Sequence, residues 1–176
     1  MFQRTAIDAR TKLGRRPVRD GSIFGGGGRI VVSADRPKGA CLYRLVSPGS
    51  EREWQAYHGI RRKVFHLPRP EEPPGPDCHA LLLLLGEQPI GAIQVDDLRN
   101  DVAALRLVAI EPGLQGQGHG RALLEGAERF ALGLGCGAAV VYATPEAAGF
   151  YQSLGYDEED WDPVCMAGIV QMIKKL

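Results

Sequence analysis

Three glycines at alternate positions, Gly116, Gly118 and Gly120, stand in the stretch GLQGQGHGRALL over residues 113–124, directly before an apolar run with helical spacing. Glycine is entropically costly in ordered backbone, so the pattern asks for main chain free of Cβ atoms. A strand feeding a glycine loop that opens a helix turns several backbone N–H groups one way, with the helix dipole behind them. Such an arrangement binds anions, phosphates among them. Glycines also serve tight turns and close packing, so the loop by itself leaves both readings open. Spacing excludes two familiar phosphate loops: counted from Gly116 and Gly118, the third dinucleotide-loop position is Arg121, and no Gly-Lys-Ser/Thr follows. What stays is Gln115-x-x-Gly118-x-Gly120, between the strand-like LRLVAIEP and the helix-like RALLEGAERF.

The elements that must hold this loop follow from periodicity. CLYRLV (41–46) reads as a strand, and Ser50 with Glu51 and Glu53 marks a helix start, where the dipole favours carboxylates. Trp54, Tyr57, Ile60 (or His58), Val64 and Phe65 then recur at helical spacing, and the helix must end before Pro68. LPRPEEPPGPD (67–77) is a proline-rich loop. HALLLLL, GEQP and IGAIQVDD give strand, turn and strand, the unbroken leucines implying burial on both faces. AALRLVAI (103–110) is a third strand of the series. After the glycine loop, Leu123, Leu124, Ala127, Phe130, Ala131 and Leu134 mark one helix face that Gly133 and Gly135 close. AAVVYAT (138–144), the helix of PEAAGFYQSLGY with Pro145 in its first turn, and the strand-like GIVQMIKKL complete the chain. The order is β-α-(loop)-β-β-β-α-β-α-β, a mixed sheet with helices on its faces.

Composition narrows the function classes. The chain has 176 residues, 44% hydrophobic and 24% charged, which suits one domain with a sizeable core. Its longest apolar run, Ala80 to Leu85, falls far short of the roughly 20 residues a membrane helix needs. The N-terminus lacks the apolar core of a signal peptide, which makes the cytoplasm the expected compartment. Cys41, Cys78, Cys136 and Cys165 show neither CxxC nor zinc-ligand spacing, so reduced thiols and no metal are expected. Net charge is zero but unevenly placed. Residues 1–40 carry nine basic and three acidic side chains, a balance of +6, which leaves −6 for the remainder. A basic extension (1–40) therefore precedes an acidic domain (41–176). It would dock on its own body or on a neighbour in a homodimer; nucleic-acid binding is the weaker reading, since no recognition module accompanies the charge.

The glycine loop resembles the signature of the GCN5-related N-acetyltransferase superfamily, Gln/Arg-x-x-Gly-x-Gly/Ala after a bulged strand. A second element of that family, A-x-x-F-Y-x-x-x-G-F, is matched by Ala147 to Tyr156, and IRRKVF (60–65) is similar to its first helix. The likeness covers residues 41–176, and the first 40 lie outside it. It implies the acyl-CoA N-acyltransferase fold, an α/β (α+β) arrangement with a mixed, mainly antiparallel sheet of about six to seven strands flanked by helices.

The resemblance further implies acetyl-CoA as donor and a primary amine of a small molecule or protein as acceptor. By position, the N–H groups of Gln115, Gly116, Gln117, Gly118, His119 and Gly120, with Arg121 and Thr144 beside them, would hold the pyrophosphate. Val108, Ala109 and Ile110 would pair with the pantetheine arm. Tyr151 stands where the family keeps a general acid, a phenol with a pKa of about 10 being able to protonate a thiolate. The base is open: relatives place a glutamate within the strand, where this chain has Arg106, with Glu111 beyond it. Deprotonation through water is the rival. His66 and His58 flank the proline-rich loop, and His66 is the candidate contact to the acceptor. His119 departs from the aliphatic residue usual inside the motif, and Thr144 from a frequent Asn. An acyl-CoA-binding or sensor domain without turnover is the alternative function.

Overall fold

In the computed structural model, which describes residues 31–33, 43–66 and 75–176, the apolar runs become strands. These are β1 (Val31–Ser33), β2 (Tyr43–Val46), β3 (Cys78–Leu85), β4 (Gln88–Asp97), β5 (Val102–Ile110), β6 (Ala138–Ala143), β7 (Asp157–Glu158) and β8 (Val170–Lys175). The helical spacings become α1 (Glu51–Phe65), α2 (His119–Gly133) and α3 (Pro145–Gln152). Apart from Val31–Ser33, the basic extension lies outside the described residues, as do residues 67–74 of the proline-rich loop.

The strands form one sheet in the order β1-β2-β3-β4-β5-β6-β8-β7, with every neighbouring pair antiparallel except β5 and β6. The six longer strands are those expected from periodicity. Short pairings at the two edges extend the sheet to eight: three residues of β1, inside the strand-like RIVVSAD (29–35), and two of β7, which periodicity does not announce.

The leucine run shows how the layers form. Leu82 and Leu84 of β3 face α1, packing with Tyr57 and Ile60, while Leu81 and Leu83 face α2 and its Leu123, Leu124 and Ala127. All four leucines are almost fully buried, each contributing on the order of 1.5–3 kcal/mol. Helix α2 approaches the sheet closely because Gly126 has no side chain: a Cβ there would stand 3.1 Å from Leu45. Helix α1 opens with a capping box, in which Ser50 Oγ accepts from the Glu53 N–H and Glu53 accepts from the Ser50 N–H. Its apolar face buries Tyr57 and Ile60 as the spacing predicts, but Phe65 at its last turn is exposed and Arg61 is buried instead, donating to the Tyr57 hydroxyl.

Two irregularities in β5 shape the centre of the sheet. Between Ala92↔Ala109 and Gln94↔Arg106 the register with β4 slips, so that Leu107 and Val108 together face one residue, Ile93. Leu107 takes a left-handed backbone, φ 53°, a conformation that costs an ordinary side chain about 1–2 kcal/mol. On the other side, β5 pairs with β6 only from Val102↔Ala138 to Ala104↔Val140. Beyond Ala104 the two parallel strands part, and β6 continues to Ala143 bonded to β8 alone. The edge of β5 from Leu105 to Ile110 therefore has no strand partner on that side among the described residues.

Candidate functional site

The glycine loop lies at the open end of this gap. After Ile110 the chain makes one 3-10 turn (Pro112–Leu114), and α2 begins at His119. Gly116 and Gly118 have φ of 76° and 86°, which only glycine adopts without strain, and a Cβ at either would meet nothing within 4 Å. Gly120 serves a different purpose, since a Cβ there would lie 3.1 Å from the ring of Phe150 in α3. The three alternate glycines are thus two conformational devices and one close approach.

The loop leaves a row of donors open. Gln115 N–H is taken up by Pro112 O and its side chain donates to Ile110 O, so this residue braces the turn. The N–H groups of Gly116, Gln117, Gly118, His119, Gly120 and Arg121 bond to no acceptor among the described residues; the first donor of the helix to do so is Ala122, to Gly118 O. No side chain caps this terminus. Six free N–H groups at the positive end of a 15-residue helix are a site for a multiply charged anion.

His119, the unusual residue of the motif, turns inward. It is buried, and its Nδ1 lies 2.7 Å from the Tyr43 hydroxyl, with the rings edge to face. Sequence reasoning missed Tyr43, because nothing local to CLYRLV announces a partner 76 positions away. The exposed Arg121 guanidinium reaches Ser153 O. Thr144 is the exposed N-cap of α3.

Tyr151, on α3, is buried, its ring between those of Phe150 and Tyr156. Burial pushes its phenol up to about 12, and its hydroxyl bonds to no other described group. Tyr156 is held by a deeper network: its hydroxyl donates to Glu128 Oε1 at 3.0 Å, and Lys174 Nζ donates to Glu128 Oε2 at 2.7 Å. Desolvation and the neighbouring Glu128 carboxylate push the Tyr156 phenol upward. This network joins α2, β8 and the end of the second motif, and so fixes the helix on which Tyr151 rides.

Val108, Ala109 and Ile110 form the last part of β5, past the bulge. Glu111 follows them, and its carboxylate pairs with Lys63 of α1 at 2.5 Å while its N–H donates to Ile90 O. His66 is the exposed, left-handed C-cap of α1, φ 51°. Helix α1 thus brings Lys63 against Glu111. Among the described residues no hydrogen bond, ion pair or ring contact joins His66 to Tyr151 or Glu111.

The acetyltransferase (GNAT) family profile matches residues 41–156. The chain belongs to the GNAT acetyltransferase family. Acyl transfer is the chemistry of that family, and the splayed strands with the glycine loop at their mouth are its fold. Among solved structures, this GNAT chain is similar to an assigned N-acetyltransferase of Lactobacillus plantarum, at 24% identity and a TM-score of 0.63, covering 76% of this chain and 98% of that one. It is also similar to the ribosomal-protein-S18-alanine N-acetyltransferase of Escherichia coli (22%, TM-score 0.53, 74% and 90% covered). A third likeness is to the PaiA N-acetyltransferase of Thermoplasma acidophilum in complex with coenzyme A (20%, TM-score 0.50, 70% and 71% covered). At these identities the likenesses speak for the fold. No curated protein matches the chain significantly. Among the described residues, no group of three or more His, Cys, Asp or Glu side chains could hold a metal, and no helix is long and apolar enough to cross a membrane.

Proposed function

We propose that this GNAT chain is an N-acetyltransferase that moves the acetyl group of acetyl-CoA to a primary amine of a small molecule or protein by direct attack. The observation that carries the reading is the run of six unpartnered N–H groups, Gly116 to Arg121, set beside the unpaired edge of β5. A diphosphate fits the first, and an amide-bearing arm fits the second as an added strand. The coenzyme A complex of the Thermoplasma relative supports the same donor.

When bound, acetyl-CoA supplies an acyl group activated as a thioester. The loop from Gly116 to Arg121, braced by Gln115 and with Thr144 alongside, holds the diphosphate, and Val108, Ala109 and Ile110 align the arm. Backbone N–H at the bulge stabilises the oxyanion that forms when the amine nitrogen attacks the acyl carbon. As the carbon–sulfur bond breaks, the Tyr151 phenol gives its proton to the sulfur, which its protonated state at neutral pH allows. The amine's proton leaves through water to Glu111, and His66 borders the acceptor. Solvent restores the phenol's proton.

Thiol release from acetyl-CoA, measured across an amine panel, tests the reading. Release with an amine, and its loss in Tyr151→Phe, is the expected result. A rise in melting temperature with acetyl-CoA but no release with any amine would leave a binding or sensor domain instead.

A further inference from the structure

The β5–β6 gap has two faces, and the second carries chemistry that the donor site does not use. Alternation along β4 puts Gln94 and Asp96 on the face of Ala92, towards α1, and the register places Arg106 there too. Tyr142 of β6 shares that face, since Ala139, Val141 and Ala143 point to the other. Arg106 and Tyr142 would be the next same-face neighbours after Ala104 and Val140, but the strands have parted by then. Across the opening the Arg106 guanidinium lies over the Tyr142 ring, 5.6 Å from its centroid.

The state of that guanidinium is unusual. Its Nε stands 2.7 Å from Asp96 Oδ2, but the N–H is not aimed along that line, and the buried Nε makes no hydrogen bond. No guanidinium N–H of Arg106 donates to any described group, although its side chain is only 39% exposed. Of the neighbouring carboxylates, Asp96 lends Oδ2 to the ion pair with Arg106, while its other oxygen and Asp162 are held by other groups. Asp96 Oδ1 accepts from Gln94 Nε2. Asp162 is buried, with Oδ2 accepting from the Tyr142 hydroxyl at 2.7 Å and Oδ1 from the Val164 N–H. A planar fork of donors, half withdrawn from water and fixed over an aromatic ring, is built to take a carboxylate in bidentate fashion.

We propose that Arg106 is the acceptor-binding residue of this enzyme and that the acceptor is an amine that also carries a carboxylate, the class of free amino acids. The inference rests on the acetyl-transfer reading above. With the donor entering along the glycine loop and α2, the amine must reach the acyl carbon from the opposite face, and Arg106 stands at that entrance. Its guanidinium seats the carboxylate, and the Tyr142 hydroxyl, locked by Asp162, keeps the ring beneath it in place.

The test uses the full chain at saturating acetyl-CoA and follows thiol release with α- and ω-amino acids, each paired with its carboxamide. At least one acid should exceed its amide by about 10-fold or more in kcat/KM. Arg106→Gln should remove about 10- to 100-fold of that preference, chiefly through the acceptor's KM, with the KM for acetyl-CoA moving far less. Arg106→Lys, which keeps the charge and loses the fork, should retain part of it and serves should the Gln variant fold poorly. Amides used as well as acids, or a preference that survives both substitutions, would overturn the inference while acetyl transfer stands. Absence of release with every amine would overturn both.

Discussion

The Tyr43 hydroxyl and His119 Nδ1, 2.7 Å apart, tie β2 to the first turn of α2, directly beneath the row of free N–H groups. A hydrogen bond of this kind contributes about 0.5–1.5 kcal/mol, and an orphaned buried ring nitrogen costs more. Tyr43→Phe should therefore lower stability by about 1 kcal/mol in urea unfolding and also weaken coenzyme A binding by calorimetry. Weakened stability with unchanged coenzyme affinity would reduce the pair to packing.

Gly118 carries φ 86° at the N-cap of α2, with free space where a Cβ would go. Valine there costs about 1–2 kcal/mol of backbone strain and sets a branched side chain in the path of an approaching diphosphate. Coenzyme A affinity should fall by about 10-fold or more while the α2 core is spared. Equal affinity in isothermal titration of Gly118→Val would remove the loop from the coenzyme site.

Tyr151→Phe deletes the hydroxyl and keeps the ring packed on Phe150 and Tyr156. Loss of a general acid lowers kcat by about 100-fold or more, with the KM for acetyl-CoA little changed. A kcat within a few-fold of the parent chain would make Tyr151 a packing residue.

Burial raises the Tyr151 phenol to about 12 and the Cys136 thiol to about 11, and desolvation raises Tyr142 and Tyr156 as well. Each group binds its proton more tightly folded than unfolded, so its contribution is complete below the unfolded pKa and is lost as pH rises through the folded one. Melting temperature should hold near pH 8 and fall steadily from about pH 9 towards pH 12. A flat profile to pH 11 would mean that these groups are solvated.

Glu128 is buried and accepts from both Tyr156 and Lys174. Glu128→Ala leaves a partly buried ammonium and a buried phenol without their acceptor, at a cost of about 2–4 kcal/mol. Denaturant unfolding measures it, and a loss below 0.5 kcal/mol in order of magnitude would show that the network is not cooperative.

Local sequence was enough to place the elements. The 3.6-residue spacing of Leu123, Leu124, Ala127 and Phe130, the period of the strands, Ser50 with Glu53, and Pro145 each act through neighbours within one turn or one pleat, so their reading needs no fold. The glycine loop was legible for the same reason: the order strand, glycines, helix already aims the N–H groups one way. The tertiary structure alone decided the shape of the gap and what faces it. Where β5 leaves β6, how Leu107 bulges against Ile93, and the meetings of Tyr43 with His119 and of Arg106 with Tyr142 join residues tens of positions apart. Such contacts depend on how the sheet twists and which strands lie side by side, and a one-dimensional pattern carries no record of that closure.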